Sequence, residues 1–295
     1  MIRVRTLGPG DETAVGGFLA RHADASMFLR SNLLAAGLAY AGRTFECTWA
    51  GAFDGDEIAG VAAHAWNGNV LVQAPRALAD VVRHVAVASG RAVDGLLGEW
   101  TQVLAARTAL GLDARPLRFL SHDDLFALDL AGLIVPGALA SGRVRMRVAG
   151  DADLGRITRW RSAYRVELLG HPADDPELDA SSTDEMAPLL AQQSCFLLEE
   201  SGAPVAFSAF NAMLPDCVQV GSVYTPPEMR GRGHARAVVA ASLLAARDRG
   251  VARSILFTGQ DNAFARRAYL ALGYRVVGEY GIAFFAPEAA ASSTP

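Results

Sequence analysis

The sequence predicts an α/β (α+β) protein of two similar domains, each a mixed, mostly antiparallel sheet flanked by helices. Three observations predict it. Short strand-like runs alternate with amphipathic or Ala-rich helical runs along the chain. The turns Asp54-Gly55-Asp56 and Asn67-Gly68 join three strand-like pieces into an antiparallel meander. The order of elements in the first half then returns in the second. At 295 residues and 51% hydrophobic, the chain has material for one large or two ordinary cores.

Residues 2–7 (IRVRTL) alternate as a short strand, Gly8-Pro9-Gly10 stops it, and Asp11 is placed to cap the helix that follows. From Glu12 to about Leu38 apolar residues recur at helical spacing with a break near 23–25, which predicts two helices. Strands are expected at 48–53, 57–66 and 69–73, the last ended by Pro75. A helix over 78–89, an apolar strand over 92–98, an Ala-rich helix over 101–110 and a pair of strands within 118–130 complete the first half. The second half reads as strand 143–148, a capped helix 151–169, an irregular Asp-, Ser- and Pro-rich stretch and helix 183–192. Strands 194–198, 205–214 and 217–224, a helix ending at Gly250, strand 254–258, helix 262–272 and strand 275–285 follow.

Sliding one half on the other sets Pro75 opposite Pro226 and Gly111 opposite Gly273. The expected domains are therefore 1–138 and 143–288, with a flexible tail at 289–295.

Composition excludes several function classes. Net charge is −4, and all 27 basic residues are arginines, which removes lysine-dependent phosphate loops and Schiff-base chemistry. No basic run suggests a nucleic-acid partner. Cys47, Cys195 and Cys217 are too few and too scattered for a zinc site, and their odd number argues against a disulfide framework. None of the six histidines has metal-ligand spacing to another, so no metal is expected. The start lacks the apolar core of a signal peptide, and no run reaches the length of a membrane span. A soluble, cytoplasmic monomer or homodimer without membrane or nucleic-acid partners is the expectation.

The stretch Val223–Ala237, VYTPPEMRGRGHARA, carries the chemistry. A strand runs into two prolines and an Arg-Gly-Arg-Gly turn, then opens an Ala-rich helix. Backbone N–H groups at such a helix start lack intrahelical partners and point outward at the positive end of the helix dipole, a cradle for a diphosphate. A side chain at Gly231 or Gly233 would hold a diphosphate off those amides, and such turns often need φ > 0. Arg230, Arg232 and Arg236 add positive charge around it. About thirty residues on lies Asn262–Tyr269, NAFARRAY, followed by LALGY to Tyr274.

Together the two segments resemble the GNAT superfamily of acyl-CoA-dependent N-acyltransferases. The family's phosphate loop, [Q/R]-x-x-G-x-[G/A], is met by Arg230, Gly233 and Ala235, and its next helix, N-x-x-A-x-x-x-Y-x-x-x-G-[F/Y], by Asn262, Ala265, Tyr269, Gly273 and Tyr274. The resemblance implies acetyl-CoA, or another acyl-CoA, as co-substrate, with Val223, Tyr224 and Thr225 along the pantetheine arm. It implies Arg230, Gly231, Arg232, Gly233, His234, Ala235 and Arg236 around the diphosphate, and Asn262 and Ala265 on the adjoining helix. The N-terminal copy departs from this pattern: after Pro75 it reads RALADVVRH without a glycine, and Arg107 stands where the other copy has Tyr269. A degenerate N-terminal domain beside a working C-terminal one follows.

Amine acylation from a thioester needs a held donor, a neutral amine, a stabilised oxyanion and a proton for the leaving thiolate. Tyr269 is the expected acid, since a phenol with an ordinary pKa near 10 stays protonated at neutral pH. No carboxylate lies within 218–224, where many family members carry a base. The best candidate base is Glu167, which shares one helical face with Trp160 and Tyr164; His171 is another. The function expected is acyl transfer to a primary amine, on a small molecule or a peptide, by direct attack in a ternary complex. The alternative is a non-catalytic CoA-binding regulatory or scaffold protein. A tRNA-dependent transferase with paired GNAT-like domains is disfavoured by the charge balance.

Overall fold

The structure, a computed structural model, describes residues 2–286, so the tail expected at 289–295 lies outside the described residues. It forms two compact units, one of residues up to Asp123 together with those from Gly278 onward, the other Asp124–Val277. This division differs from the expected 1–138 and 143–288. Unit 1 is completed by residues from the C-terminal strand, and unit 2 begins inside a strand rather than at Pro136–Gly142.

Unit 1 is built from β1 (Ile2–Thr6), α1 (Glu12–Ala20), α2 (Met27–Ala36), β2 (Cys47–Asp54), β3 (Glu57–Ala65), β4 (Asn69–Gln73), α3 (Leu78–Ser89), β5 (Gly95–Glu99) and α4 (Trp100–Ala109). Strands β1 to β4 are antiparallel neighbours in order, and β5 joins β4 in parallel. The Asp54–Asp56 and Asn67-Gly68 turns work as read, with Gly55 and Gly68 at φ 64° and 78°. Val81, Val82 and Val85 on one face of α3 pack on Ala50, Ala62, Val70 and Val72 of the strands. Asp11 stands at the helix start without capping it. Its carboxylate takes both Arg5 Nη atoms at 2.7 Å and the Gly8 N–H instead.

Unit 2 begins within β6 (Leu117–Asp129), one 13-residue strand where a pair was expected. It continues through the single turn α5 (Gly137–Ala140), β7 (Val144–Val148), α6 (Leu154–Leu169), α7 (Leu178–Ala191), β8 (Cys195–Glu200), β9 (Ala203–Met213) and β10 (Cys217–Tyr224). Then come α8 (His234–Asp248), β11 (Arg253–Gly259), α9 (Ala263–Leu270) and β12 (Arg275–Phe285), whose last residues belong to unit 1. Helix α7 starts five residues before the expected 183 because Leu178 and Ser182, both buried, continue its inner face.

Strands β7 to β10 form the second antiparallel meander and β11 joins β10 in parallel, repeating the pattern of unit 1. In unit 1 the place beside β5 is taken by residues 280–284 of β12, antiparallel; in unit 2 the place beside β11 is taken by β6. The meander of unit 2 has a core on each face. Phe196, Phe210, Val218 and Val220 pack under α8, while Leu197, Phe207 and Ala209 pack under α6 and α7 with Ile157 and Met186.

Candidate functional site

The site in unit 2 begins where β10 and β11 part. They pair in parallel only at Cys217–Arg253, Val218–Ser254 and Gln219–Ile255; residues 220–224 continue without that partner. Against β9, register shifts fall at Gln219/Val220 and between Gly221 and Tyr224, and Ser222 sits at φ 52°. A Cβ on Gly221 would overlap the Asn211 carboxamide, so glycine lets the bulged strand lie close to β9. The outcome is a cleft along which main chain of 220–224 is left for another extended chain to pair with.

The cleft leads to the glycine turn. Pro227–Met229 make one 3-10 turn, Arg230 is extended, Gly231 lies at φ 77° and Gly233, the residue before α8, at φ 79°. The first helical bond runs from the Ala237 N–H to the Gly233 carbonyl at 3.0 Å. Helix geometry leaves the N–H groups of His234, Ala235 and Arg236 without intrahelical acceptors. A Cβ on Gly231 would meet nothing within 4 Å, and one on Gly233 only the Arg236 guanidinium at 3.8 Å. Packing therefore demands no glycine here; the positive φ and the open amide surface do. An exposed turn of this kind fits a diphosphate, and the cleft beside it fits a pantetheine arm.

The side chains expected around the turn divide. Arg232 and Arg236 are exposed. The His234 ring points inward, 2% exposed, with Nε2 3.4 Å from the Glu200 carboxylate, so only its main chain faces a ligand. Arg230 turns away from the glycines: Nε donates to the Thr225 carbonyl at 2.9 Å and Nη2 to Glu167 Oε2 at 2.6 Å. That carbonyl is thereby occupied, while the Thr225 hydroxyl, buried, has no hydrogen-bond partner. Asn262 caps α9, its Oδ1 accepting from the Ala265 N–H at 3.1 Å.

Tyr269, on α9, is partly buried and lies edge-on to Phe126 and Tyr274, with ring centroids 6.0 and 6.1 Å away. Burial first, and the nearby Tyr164 phenol second, push its pKa above the ordinary value, so its proton stays in place across the physiological range. Tyr274 is fixed beneath it by a 2.7 Å hydrogen bond with Ser254.

On the other side stands α6. Trp160 and Tyr164 pack into the core that includes Tyr224, Trp160 tilted to the Tyr224 ring at 6.3 Å. Glu167, from the same helical face, accepts the Tyr224 hydroxyl at 3.1 Å as well as Arg230. Burial and the Glu167 charge raise the Tyr224 pKa, which keeps that hydroxyl a donor. His171, the second candidate base, lies instead against the Arg165 guanidinium at 3.3 Å. Glu199 bonds Arg147 at 2.7 Å, and Glu200 lies 3.7 Å from the Arg143 guanidinium, so both are ion-paired rather than simply solvated.

Three residues that sequence reasoning missed complete this side. Arg161 Nη1 donates to Ser222 Oγ at 3.2 Å and its Nε to Glu185 at 2.7 Å, while Ser222 Oγ lies 3.4 Å from Asn211 Oδ1. No local pattern signals them, since each depends on the bulge that turns Ser222 over.

Unit 1 lacks the equivalent surface. The N–H of Ala74, aligned with Thr225, is taken at 2.6 Å by the Gln102 side chain, whose Nε2 in turn donates to Glu99. Ala77, before α3, holds the left-handed conformation that Gly233 holds before α8, and its Cβ stands on the turn. Arg107, opposite Tyr269, closes the end of α4 through the Leu112 and Asp113 carbonyls.

Residues 157–274 match the model of the acetyltransferase (GNAT) family, a span that contains the cleft, the glycine turn and α9. The chain carries a GNAT domain. Family chemistry is acyl transfer from acyl-CoA. Solved structures share the fold over nearly the whole chain. A Drosophila protein matches at 12% identity and TM-score 0.65, covering 95% of this chain and 98% of its own. A GCN5-related N-acetyltransferase from Sphaerobacter thermophilus matches at 17% and 0.57, covering 96% and 94%. A tandem GNAT protein from the clavulanic acid biosynthesis pathway matches at 14% and 0.54, covering 98% and 100%. No curated protein matches this chain in sequence. The GNAT domain has no cluster of metal-ligating side chains among the described residues, and no helix among them is long and apolar enough to cross a membrane.

Proposed function

We propose that the protein is an N-acyltransferase that moves an acetyl group from acetyl-CoA to a primary amine by direct attack in a ternary complex, using unit 2 alone. The observation that carries this reading is the parting of β10 from β11 directly before an open glycine turn, inside the segment that matches the family.

The geometry supports the following residue roles. Free N–H groups at 231–236 hold the diphosphate, and the main chain of Val223, Tyr224 and Thr225 orients the pantetheine arm. Acetyl-CoA supplies the thioester. Glu167 accepts the proton of the acceptor's ammonium, leaving a neutral amine. The amine nitrogen forms the C–N bond, the C–S bond breaks, and the Tyr269 hydroxyl gives its proton to the departing sulfur. The nitrogen's remaining extra proton passes to the tyrosinate, which restores Tyr269, while Glu167 releases its proton to water. Burial keeps Tyr269 protonated at neutral pH, so its hydroxyl is a donor when the thiolate departs.

The test is a primary-amine panel with acetyl-CoA, comparing the wild type with Tyr269→Phe. Turnover should fall at least tenfold in the variant while CoA affinity stays nearly constant. Unchanged turnover with a genuine acceptor would make Tyr269 structural. One observation favours a second reading, a CoA-binding regulatory or scaffold protein: the candidate base is tied up by both Arg230 and Tyr224. Transfer to any amine of the panel counts against that reading.

A further inference from the structure

The contact that ties up Glu167 lies between the two halves of the proposed site. Arg230 opens the glycine turn, yet its guanidinium reaches back to Glu167 on α6, 63 residues earlier, at 2.6 Å. Its Nε is anchored on the Thr225 carbonyl at 2.9 Å, and the guanidinium lies 5.7 Å from the Tyr224 ring centre. Tyr224 takes the other Glu167 oxygen at 3.1 Å. Both partners are accessible, Arg230 with 48% and Glu167 with 35% of the side chain exposed, so the pair is held by geometry rather than by burial. A diphosphate on the 231–236 amides would bring two negative charges to the residue next to Arg230, against the single charge of Glu167.

Resting on the donor-site reading above, we propose that Arg230 is a positioning residue for whose guanidinium Glu167 and the donor's diphosphate compete. Without donor, Arg230 occupies the carboxylate that an acceptor ammonium needs. Donor binding draws the guanidinium onto the diphosphate and leaves Glu167 with only the Tyr224 hydroxyl, free to bind the acceptor and take its proton. The donor therefore promotes acceptor binding, and by linkage the acceptor tightens the donor.

A calorimetric titration of the full chain tests this, with CoA and with pantetheine, which lacks the diphosphate. In Glu167→Gln the guanidinium no longer faces a carboxylate, so CoA should bind about two- to fivefold tighter, the worth of a half-exposed ion pair. Pantetheine affinity should not move. Arg230→Ala should weaken CoA, and in that background Glu167→Gln should add no tightening, closing a double-mutant cycle. Tightening that persists without Arg230 would be bare charge relief and would overturn the proposal, as would an unchanged affinity in Glu167→Gln alone. Wild-type protein that binds neither ligand overturns the donor-site reading instead, and the competition with it.

Discussion

Gly233→Ala separates what the turn does for folding from what it does for binding. Gly233 lies at φ 79°, ψ 13°, and the added Cβ would meet only the Arg236 guanidinium at 3.8 Å, an ordinary contact. The protein therefore loses only the left-handed backbone preference, about 1 kcal/mol. Within a cooperative unit the size of unit 2 that lowers Tm by about 2–4 °C. That Ala77 holds the same backbone region in unit 1 shows that the fold accommodates a Cβ there. For the ligand the methyl stands on the open side of the amides. Hydrogen bonds from N–H groups to a charged oxygen are worth about 1.5–3 kcal/mol each. Losing one weakens CoA about 10- to 100-fold, and Gly233→Glu, which adds a negative charge, abolishes binding. The assay pairs a thermal melt with a CoA titration on the same preparation. A variant that melts as expected and binds CoA like the wild type would refute the diphosphate turn.

Further predictions concern stability. Ser254→Ala leaves the buried Tyr274 hydroxyl without its 2.7 Å partner, at a cost of about 1–3 kcal/mol, read as a lowered Tm. Acid should destabilise the fold between about pH 4.5 and pH 2. Asp11, bonded by Arg5, Asp153, bonded by Arg147, and Glu46, bonded by the Arg43 and Ala41 N–H groups, are all held at about 2. A lowered folded-state pKa adds stability above the unfolded-state value that is lost as pH falls through the folded one. Melts from pH 6 to pH 2 should show this, with a shallower slope in Glu46→Gln; an equal slope would exclude Glu46. Burial pushes the Cys47 and Cys195 thiols up to about 12, so thiol reagents should label them only on unfolding.

The order of elements and the glycine turn were legible because each rests on neighbours in sequence. Val81, Val82 and Val85 recur on one helical face, Asn67-Gly68 closes a hairpin, and two positive-φ glycines precede a run of helix formers. Elsewhere the structure differs from expectation: Asp11 takes Arg5 rather than capping the helix beside it, and Leu117–Asp129 runs as one strand through its polar middle, Ser121–Asp124.

Taken alone, the sequence determined which chemistry is present: a strand, an Arg-Gly-Arg-Gly turn and a helix with Asn262 and Tyr269 behind it, in one half of a repeated pattern. Tertiary structure decided how that chemistry is held. It turned Ser222 over at the bulge, parted β10 from β11 after Gln219, and tied Glu167 to Tyr224 and Arg230 across 57 and 63 residues. The physical reason is range. Periodicity and turn preference act over a few residues, whereas an ion pair or a strand register is chosen only when packing brings remote segments within about 3 Å of each other.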